Sequence, residues 1–486
     1  MQNKKVAIFI VAYNAASTIV GVLERIPKEI WEMVEEVFIF DDASQDRTQF
    51  LAEEWKNFNG VEKLTIIRHS VNQGYGGNQK LGYQYAIKKG CDVVVLLHGD
   101  GQYAPEVLPE ILSPLLEDRA EAVFGSRMMK SGSARAGGMP LYKYVGNKIL
   151  TKFENWSTGA SLTEWHSGYR AYNLKALGQI PFHLNTSDFH FDSEIIIQLL
   201  DNKFRIVEVP IPTYYGDEIC YVNGMKYAGN LFKVIMQYKM HKIGLQSNQK
   251  FASNVNNYEI KKSPFSSHML ILDEIKPRSR VLDLGCEAEM TKNLLQKKCV
   301  VTGVNIHFIE IEGIKKFVVQ DLENPISLPE DEKFDYIILA DVLEHLRNAQ
   351  YLLSECKKYL AQEGKIILST GNIALWVMRL SLLFGKFNYG RRGILDETHV
   401  RLYTLNSFVS SIKQAGLSIV SIKGSSIPFE LLFPQHSKSG YVQGITWIYS
   451  KFVNLWKSMF AYQFIIVAEN LTNTQEEILK IEDFKN

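Results

Sequence analysis

The chain has 486 residues, 46% of them hydrophobic and 22% charged, with a formal net charge of +1. That length exceeds one ordinary core and implies two or three domains, and the near-neutral charge leaves no electrostatic footprint for nucleic acid as a partner. The five cysteines (Cys91, Cys220, Cys286, Cys299, Cys356) form no CxxC pair, which argues against a zinc or disulfide framework and points to a reducing, cytoplasmic compartment.

The chain opens with MQNKKVAIFIVAYN, a short basic start and an apolar run without a small-residue cleavage site; it reads as a first strand, not a signal peptide. Strand-like runs then alternate with amphipathic helical stretches: VAIFIVAY, VEEVFIFD, KLTIIR, VVVLLH, AVFGSR and FRIVEVPI, the pattern of an open α/β sheet. A basic helical stretch follows from Tyr227 to Gly244. Gln246–Ser267, rich in Asn, Ser and Lys, reads as a linker. A second α/β alternation begins with SRVLDLGC and continues through VVTGVNI, KFVVQDL, FDYIILADV, KIILSTGN, SIVSIKG and FIIVAEN, before a charged tail. Within it Ile373–Phe384 is apolar but too short for a membrane span and carries Arg379, so it reads as a core or interfacial helix. The expected domains are 1–245, a linker 246–267, 268–472 and a tail 473–486.

The first half carries its chemistry on strand ends. VVVLLH runs into His98-Gly99-Asp100-Gly101-Gln102, and VFIF ends in Asp41-Asp42-Ala43-Ser44-Gln45-Asp46. Two parallel strands tipped with acids suit a metal–diphosphate site, because a divalent cation offsets the charge on a leaving nucleoside diphosphate. Asp42 alone also reads as an N-cap for a helix starting near Thr48. Further along lie the glycine-rich NQGYGGNQKLG (72–82), GSR (125–127), HSGYRAY (166–172) and FHFDSE (189–194).

With VAYN, FDDASQDRT, NQGYGGNQ, HGDGQY, GSR, SGYRAY and FDSE in one order, residues 6–244 resemble a family 2 glycosyltransferase of the dolichyl- or polyprenyl-phosphate mannose/glucose synthase type. The resemblance implies a GT-A-type nucleotide-sugar-binding fold and hexose transfer with inversion from a GDP- or UDP-linked donor to a lipid-phosphate or glycan acceptor, in surface polysaccharide or glycolipid assembly. Nucleotide-sugar contacts would fall on Tyr13, Asp41, Asp42, His98, Gly99, Asp100, Arg170 and Lys226. The metal, Mn²⁺ or Mg²⁺, would sit on Asp100 and Gln102, and Arg127 would meet the donor phosphate. The usual Asp-x-Asp is His98-Gly99-Asp100 here. His98 either approaches the ion, which would favour Mn²⁺, or only packs or bonds the ribose. A lipid-phosphate acceptor is already anionic and needs no base. A hydroxyl acceptor needs a carboxylate, with Glu194, Asp192 and Glu164 as candidates or, alternatively, as partners of Arg170 and the loop backbone. Lys226, Lys233, Lys239 and Lys242 either serve a peripheral contact with the inner face of a membrane or form a solvated helix face.

The second half, about 265 to 470, resembles a class I S-adenosylmethionine-dependent methyltransferase with a Rossmann-like fold, on SRVLDLGC, FDYIILADVLEHL, DETHVRLYT and FAYQFIIVAEN. Its cofactor contacts would fall on Asp283, Gly285, Asn305, Asp321, Leu322, Asp341 and His345. The loop departs from Asp-x-Gly-x-Gly-x-Gly: Glu287 and Glu289 replace glycines, one at an expected left-handed position, and Asn305 replaces the ribose-binding acid. His345 and His399 read as bases for O-methylation or as structural. Three readings follow for this half: a methyltransferase-like domain of impaired activity, a bifunctional transferase/O-methyltransferase, or a non-catalytic glycan-binding or scaffold module.

Overall fold

The computed structural model describes residues 4–214, 223–252, 263–433, 437 and 439–471. The chain divides into two compact units, Met1–Tyr238 with Asn248–Asn256, and Lys239–Ser247 with Asn257–Asn486. Of the expected linker, residues 253–262 lie outside the described residues, as do the tail 473–486 and Cys220. The other four cysteines are buried free thiols.

The first unit is built on seven strands: β1 Val6–Ala12, β2 Glu36–Asp41, β3 Leu64–Arg68, β4 Val93–His98, β5 Ala122–Ser126, β6 Arg170–Asn173 and β7 Ile206–Pro210, in the order β3-β2-β1-β4-β6-β5-β7. β1 is an interior strand, between β2 and β4. Its continuous apolar run is needed because both faces are covered: Val6, Ile8 and Ile10 enter one core cluster, while Ala7 and Phe9 enter the other. β2 and β4 flank β1 in parallel, with Ala12 opposite Asp41 and Val11 opposite His98. β6 runs antiparallel between β4 and β5. It is the one strand of this sheet absent from the sequence reading, because it is four residues long, begins with an arginine and starts inside the SGYRAY motif.

The glycine-rich segment leads into and opens a helix, Tyr75–Lys88. Its glycines permit close approach. A Cβ on Gly82 would stand 2.1 Å from the Phe9 ring, and one on Gly76 would stand 2.5 Å from the Thr186 carbonyl.

The second unit repeats the architecture with β8 Arg280–Leu284, β9 Val300–Asn305, β10 Lys316–Val319, β11 Phe334–Ala340, β12 Leu360–Gly371, β13 Leu417–Gly424 and β14 Gln463–Asn470, ordered β10-β9-β8-β11-β12-β14-β13. The first five are parallel, and β14 is antiparallel to both of its neighbours. Among the described residues, no helix is long and apolar enough to cross a membrane.

Candidate active site

In the first unit the carboxyl ends of β1, β2 and β4 share one edge. The order changes direction between β1 and β4, and this is where open α/β sheets leave a crevice. The loops after β1 and β2 are tied together. Asn14, at φ 50°, donates its N–H to Ser44 Oγ (2.8 Å), and its side-chain oxygen accepts from the Gln45 N–H (2.8 Å). Asp46 accepts from the Ala16 and Thr48 N–H groups, both at 3.0 Å.

Tyr13 stands 40% exposed above this edge. Asp41 is buried, accepts from the Ser44 N–H (3.0 Å) and hydroxyl, and lies 3.6 Å from Arg68. Asp42 Oδ1 accepts from the Gln73 N–H at 2.7 Å. Burial raises the Asp42 pKa above the usual carboxylate range, against that hydrogen bond and the nearby His69. The capping role open to Asp42 in the sequence is not the one it has: Arg47 is the N-cap of the helix Thr48–Asn59.

At the end of β4, the Gly99 N–H donates to the Val11 carbonyl (2.8 Å) and its own carbonyl accepts from Thr18 (2.6 Å). Gly101, at φ 75°, turns the chain so that Asp100 Oδ1 accepts from the Gln102 N–H at 3.0 Å. Two oxygen-bearing side chains thus stand on one turn. Among the described residues no three acids, histidines or cysteines form a metal cage. The donor set suits a hard cation that takes its remaining ligands from phosphates and water, as Mg²⁺ and Mn²⁺ do with nucleotides.

His98 is packed between Tyr103, with ring centroids 4.9 Å apart, and Tyr75, at 5.6 Å. Its Nε2 lies 3.4 Å from the Tyr75 hydroxyl and abuts Gly168, where a Cβ would stand 2.5 Å away. Burial lowers its pKa, although Asp100 and Asp192 pull the other way. This geometry favours packing over metal ligation.

Arg127, at the end of β5, forms a buried pair with Glu164, which also accepts from the Arg127 N–H (2.7 Å) and Asn147 (2.8 Å). Burial alone would raise Glu164, but the guanidinium and these bonds hold it below the usual range. Glu208 in turn accepts from the Thr163 and Glu164 N–H groups (2.7 and 3.1 Å) and fixes this loop.

Two residues read as site groups are internal struts. Arg170 is 1% exposed and spends its guanidinium on the carbonyls of Trp165 (2.7 Å), Ser167 (2.8 Å) and Asp192 (3.2 Å), so it is not presented to a nucleotide. Glu194 is 1% exposed and pairs with Lys250 (2.6 Å) while accepting from the Thr186 N–H (2.7 Å). Asp192 accepts from the Tyr75 hydroxyl at 2.9 Å and lies 3.8 Å from Arg170. Lys226 is exposed in the first turn of the helix Gly224–Lys242. Sequence reasoning misses a cluster in which His166 lies 3.1 Å from buried Glu154 and 3.0 Å from the Tyr227 hydroxyl, while Ser193 donates to Glu154 (2.7 Å). No spacing pattern links residues that far apart in the chain.

In the second unit β8, β9, β10 and β11 also end at one edge. Gly285, at φ 78°, sits against Val342, where a Cβ would meet Cγ2 at 2.5 Å. Burial pushes Asp283 up to about 7, against hydrogen bonds from Thr291 and Cys286. The expected strain at the glutamates is absent: Glu287 is an extended N-cap at φ −118°, and Glu289 lies in the first helical turn. Asn305 donates its amide to the Cys286 carbonyl (2.8 Å) and accepts from the His307 N–H (3.3 Å), so it is engaged with the loop. These residues do not fit the ribose contact of S-adenosylmethionine. Asp321 is exposed and caps its own turn through the Glu323 N–H (2.9 Å), and Leu322 is core. Asp341 accepts from Ser369 (2.7 Å) and Gln463 (2.5 Å). His345 lies 3.0 Å from the Thr398 hydroxyl and its ring is 4.7 Å from that of His399.

Comparison with known proteins adds the family. The model of glycosyl transferase family 2 matches residues 7–178, and that of a methyltransferase domain matches residues 257–422. The chain is 30% identical over 227 residues to the UDP-N-acetylglucosamine–dolichyl-phosphate N-acetylglucosaminyltransferase of Methanococcus voltae, covering 45% of this chain and 88% of that protein. It is 27% identical over 210 residues to the undecaprenyl-phosphate mannosyltransferase of Micrococcus luteus, covering 43% and 82%. Among solved structures, glucosyl-3-phosphoglycerate synthase from Mycobacterium tuberculosis, with Mn²⁺, UDP and phosphoglyceric acid, matches at 15% identity and a TM-score of 0.35, covering 50% of this chain and 80% of that one. The chain therefore belongs to glycosyl transferase family 2 through its first unit, and carries a methyltransferase domain in its second.

Proposed function

We propose that the first unit transfers a hexose, with inversion, from a UDP- or GDP-sugar to a polyprenyl-type lipid phosphate, assisted by a divalent cation on Asp100 and Gln102. One observation carries the choice of acceptor. Every carboxylate considered as a base is already engaged: Glu164 by Arg127, Glu194 by Lys250, and Asp192 by Tyr75 and Arg170. A hydroxyl nucleophile would need one of them to take its proton, whereas a phosphate oxygen is anionic and needs none. The two relatives described above, which act on dolichyl and undecaprenyl phosphate by name, support the same choice.

The roles of the chain's own groups follow from charge. Tyr13 offers a ring and Asp42 an acceptor at the nucleotide end of the crevice, and Gly99 keeps β4's loop close to β1. Arg127 donates to the His166 carbonyl (3.2 Å), two residues before the Gly168 that abuts His98, which supports a shared locality for the acid turn and the guanidinium. Bound there, Mn²⁺ or Mg²⁺ supplies positive charge that offsets the leaving diphosphate. Glu164 holds Arg127 in place so that its charge is fixed before reaction rather than recruited during it. Asp100→Asn is expected to lower cation-dependent transfer to a polyprenyl phosphate roughly 100-fold with an unchanged melting temperature. Transfer at the parental rate would remove the assignment.

For the second unit we propose a retained methyltransferase fold with weak or no turnover of S-adenosylmethionine, supported by the engagement of Asn305 with Cys286. A thermal-shift titration tests it. Stabilisation by a nucleotide sugar but not by S-adenosylmethionine supports this reading, and stabilisation by both supports a bifunctional enzyme.

A further inference from the structure

The second unit contains a helix whose apolar face points the wrong way for a protein surrounded by water. In the helix Gly440–Leu455 the buried positions are Val442, Thr446, Ser450 and Val453, two of them hydroxyl residues. The exposed side carries Ile445 (43%), Ile448 (54%), Phe452 (48%) and Leu455 (83%), with Trp447 beside them and Trp456 just beyond. Spacings of three and four residues put the first four on one stripe. Thr446 and Ser450 turn their hydroxyls back onto the Val442 and Trp447 carbonyls, at 2.8 and 2.6 Å.

A second element of the same unit has the same character. The helix Trp376–Leu383 places Leu380, Leu383 and Phe384 on the face of Trp376, whose indole donates to the Tyr449 hydroxyl at 3.1 Å, joining the two helices. From Leu382 to Tyr389 every residue is exposed, and five of the eight are large and apolar: Leu382, Leu383, Phe384, Phe387 and Tyr389. Contiguous exposed apolar surface of this kind marks an interaction site.

Charge selects the partner. No Asp or Glu occurs from Ile373 to Leu395 or from Leu431 to Ala468, while Arg379, Lys386, Arg391, Arg392, Lys451 and Lys457 all do. An apolar and aromatic stripe on segments that carry cations and no acids suits an interface with anionic lipid, where the rings enter the headgroup–acyl boundary and the bases meet phosphates. We propose that these two helices of the methyltransferase-like unit dock the protein on an anionic bilayer. The inference rests on exposure and charge in this unit and is independent of the acceptor assigned to the first.

Full-length protein is sedimented with vesicles of phosphatidylglycerol and phosphatidylcholine, and with phosphatidylcholine alone. Partition onto the anionic vesicles is expected to exceed that onto neutral ones at least tenfold and to weaken with salt. The pair Ile448→Glu, Phe452→Glu, and separately Leu383→Glu, Phe384→Glu, should each lower it at least tenfold. Nucleotide-sugar hydrolysis without acceptor and the melting temperature should stay unchanged. Undiminished binding by both double variants would assign any membrane contact to other surfaces, including the lysine-bearing helix Gly224–Lys242, and overturn the proposal. So would absence of binding together with a wild-type dimer that the variants dissociate, because the occupant would then be a second copy. A readout that needs no variant is quenching of the wild-type tryptophans by brominated phosphatidylglycerol vesicles; no quenching also overturns it.

Discussion

At the scale of single residues, Asp283 and Asn305 show how burial and partner choice change the meaning of a motif. Asp283 stands in the expected Asp-x-Gly, yet burial pushes it to about 7. Its folded form therefore holds a proton that the unfolded chain releases near 3.9. The contribution of this group to stability is fully present below the unfolded value, is lost as pH rises towards about 7, and is constant above that. The loss over this window is on the order of 4 kcal/mol. Asp283→Asn, which stays neutral, is expected to flatten the melting temperature of the second unit between pH 5 and 7. An unchanged pH slope would show that the carboxyl is ionised in the fold. Asn305 reverses a prediction that the sequence invites. Restoring the missing acid with Asn305→Asp reads as a repair of cofactor binding, but it would remove a donor and set a carboxylate against the Cys286 carbonyl. The variant should lose about 1–3 kcal/mol of stability and show no gain in S-adenosylmethionine affinity, measured by chemical denaturation and calorimetry.

Among the elements, the glycine-rich helix Tyr75–Lys88 is the most informative. Its glycines, which the sequence shows only as a glycine-rich run, serve packing: Gly82 lies on the Phe9 ring of β1. Phe9 is fully buried and stacked on Phe38, with centroids 4.9 Å apart, so it has no room to move. Gly82→Val should cost about 3 kcal/mol and lower the melting temperature of the first unit, with little change in nucleotide-sugar KM while the protein is folded. A variant of parental stability would mean that the helix slides to relieve the contact. The loops at the ends of β1, β2 and β4 behave differently. Their hydrogen bonds connect one loop to the next, which is why acids so widely separated in the chain can act at one edge.

On the scale of the whole molecule, the boundary between the halves does not follow composition. Lys239–Ser247 precedes the polar stretch but belongs to the second unit, where Ile243 and Leu245 join a core cluster with Leu375, Met378 and Tyr462. The Tyr462 hydroxyl donates to the Ile243 carbonyl at 2.9 Å. Asn248–Asn256 belongs to the first unit, through Phe251 and the Lys250–Glu194 pair. A fragment starting at residue 263 should therefore melt below one starting at residue 239, as followed by circular dichroism. Equal melting would show that Ile243 and Leu245 add nothing to that core.

The sequence by itself determined the two α/β halves, nearly every strand, and the strand-end positions of Asp41, Asp42, Asp100 and Gln102. These are local properties: apolar runs of strand length, turn residues after them, and motifs whose order is written in the chain. Only the tertiary structure decided what the polar groups do. Arg170, Glu194 and His98 have side chains that suit a ligand, but their engagement depends on the Asp192 carbonyl, the Lys250 segment and the Tyr75 ring, each at least 22 residues away in the chain. The outward apolar stripe of Gly440–Leu455 was hidden for the same reason. Periodicity fixes which residues share a face of a helix, and only packing against the rest of the fold fixes which face is left outside.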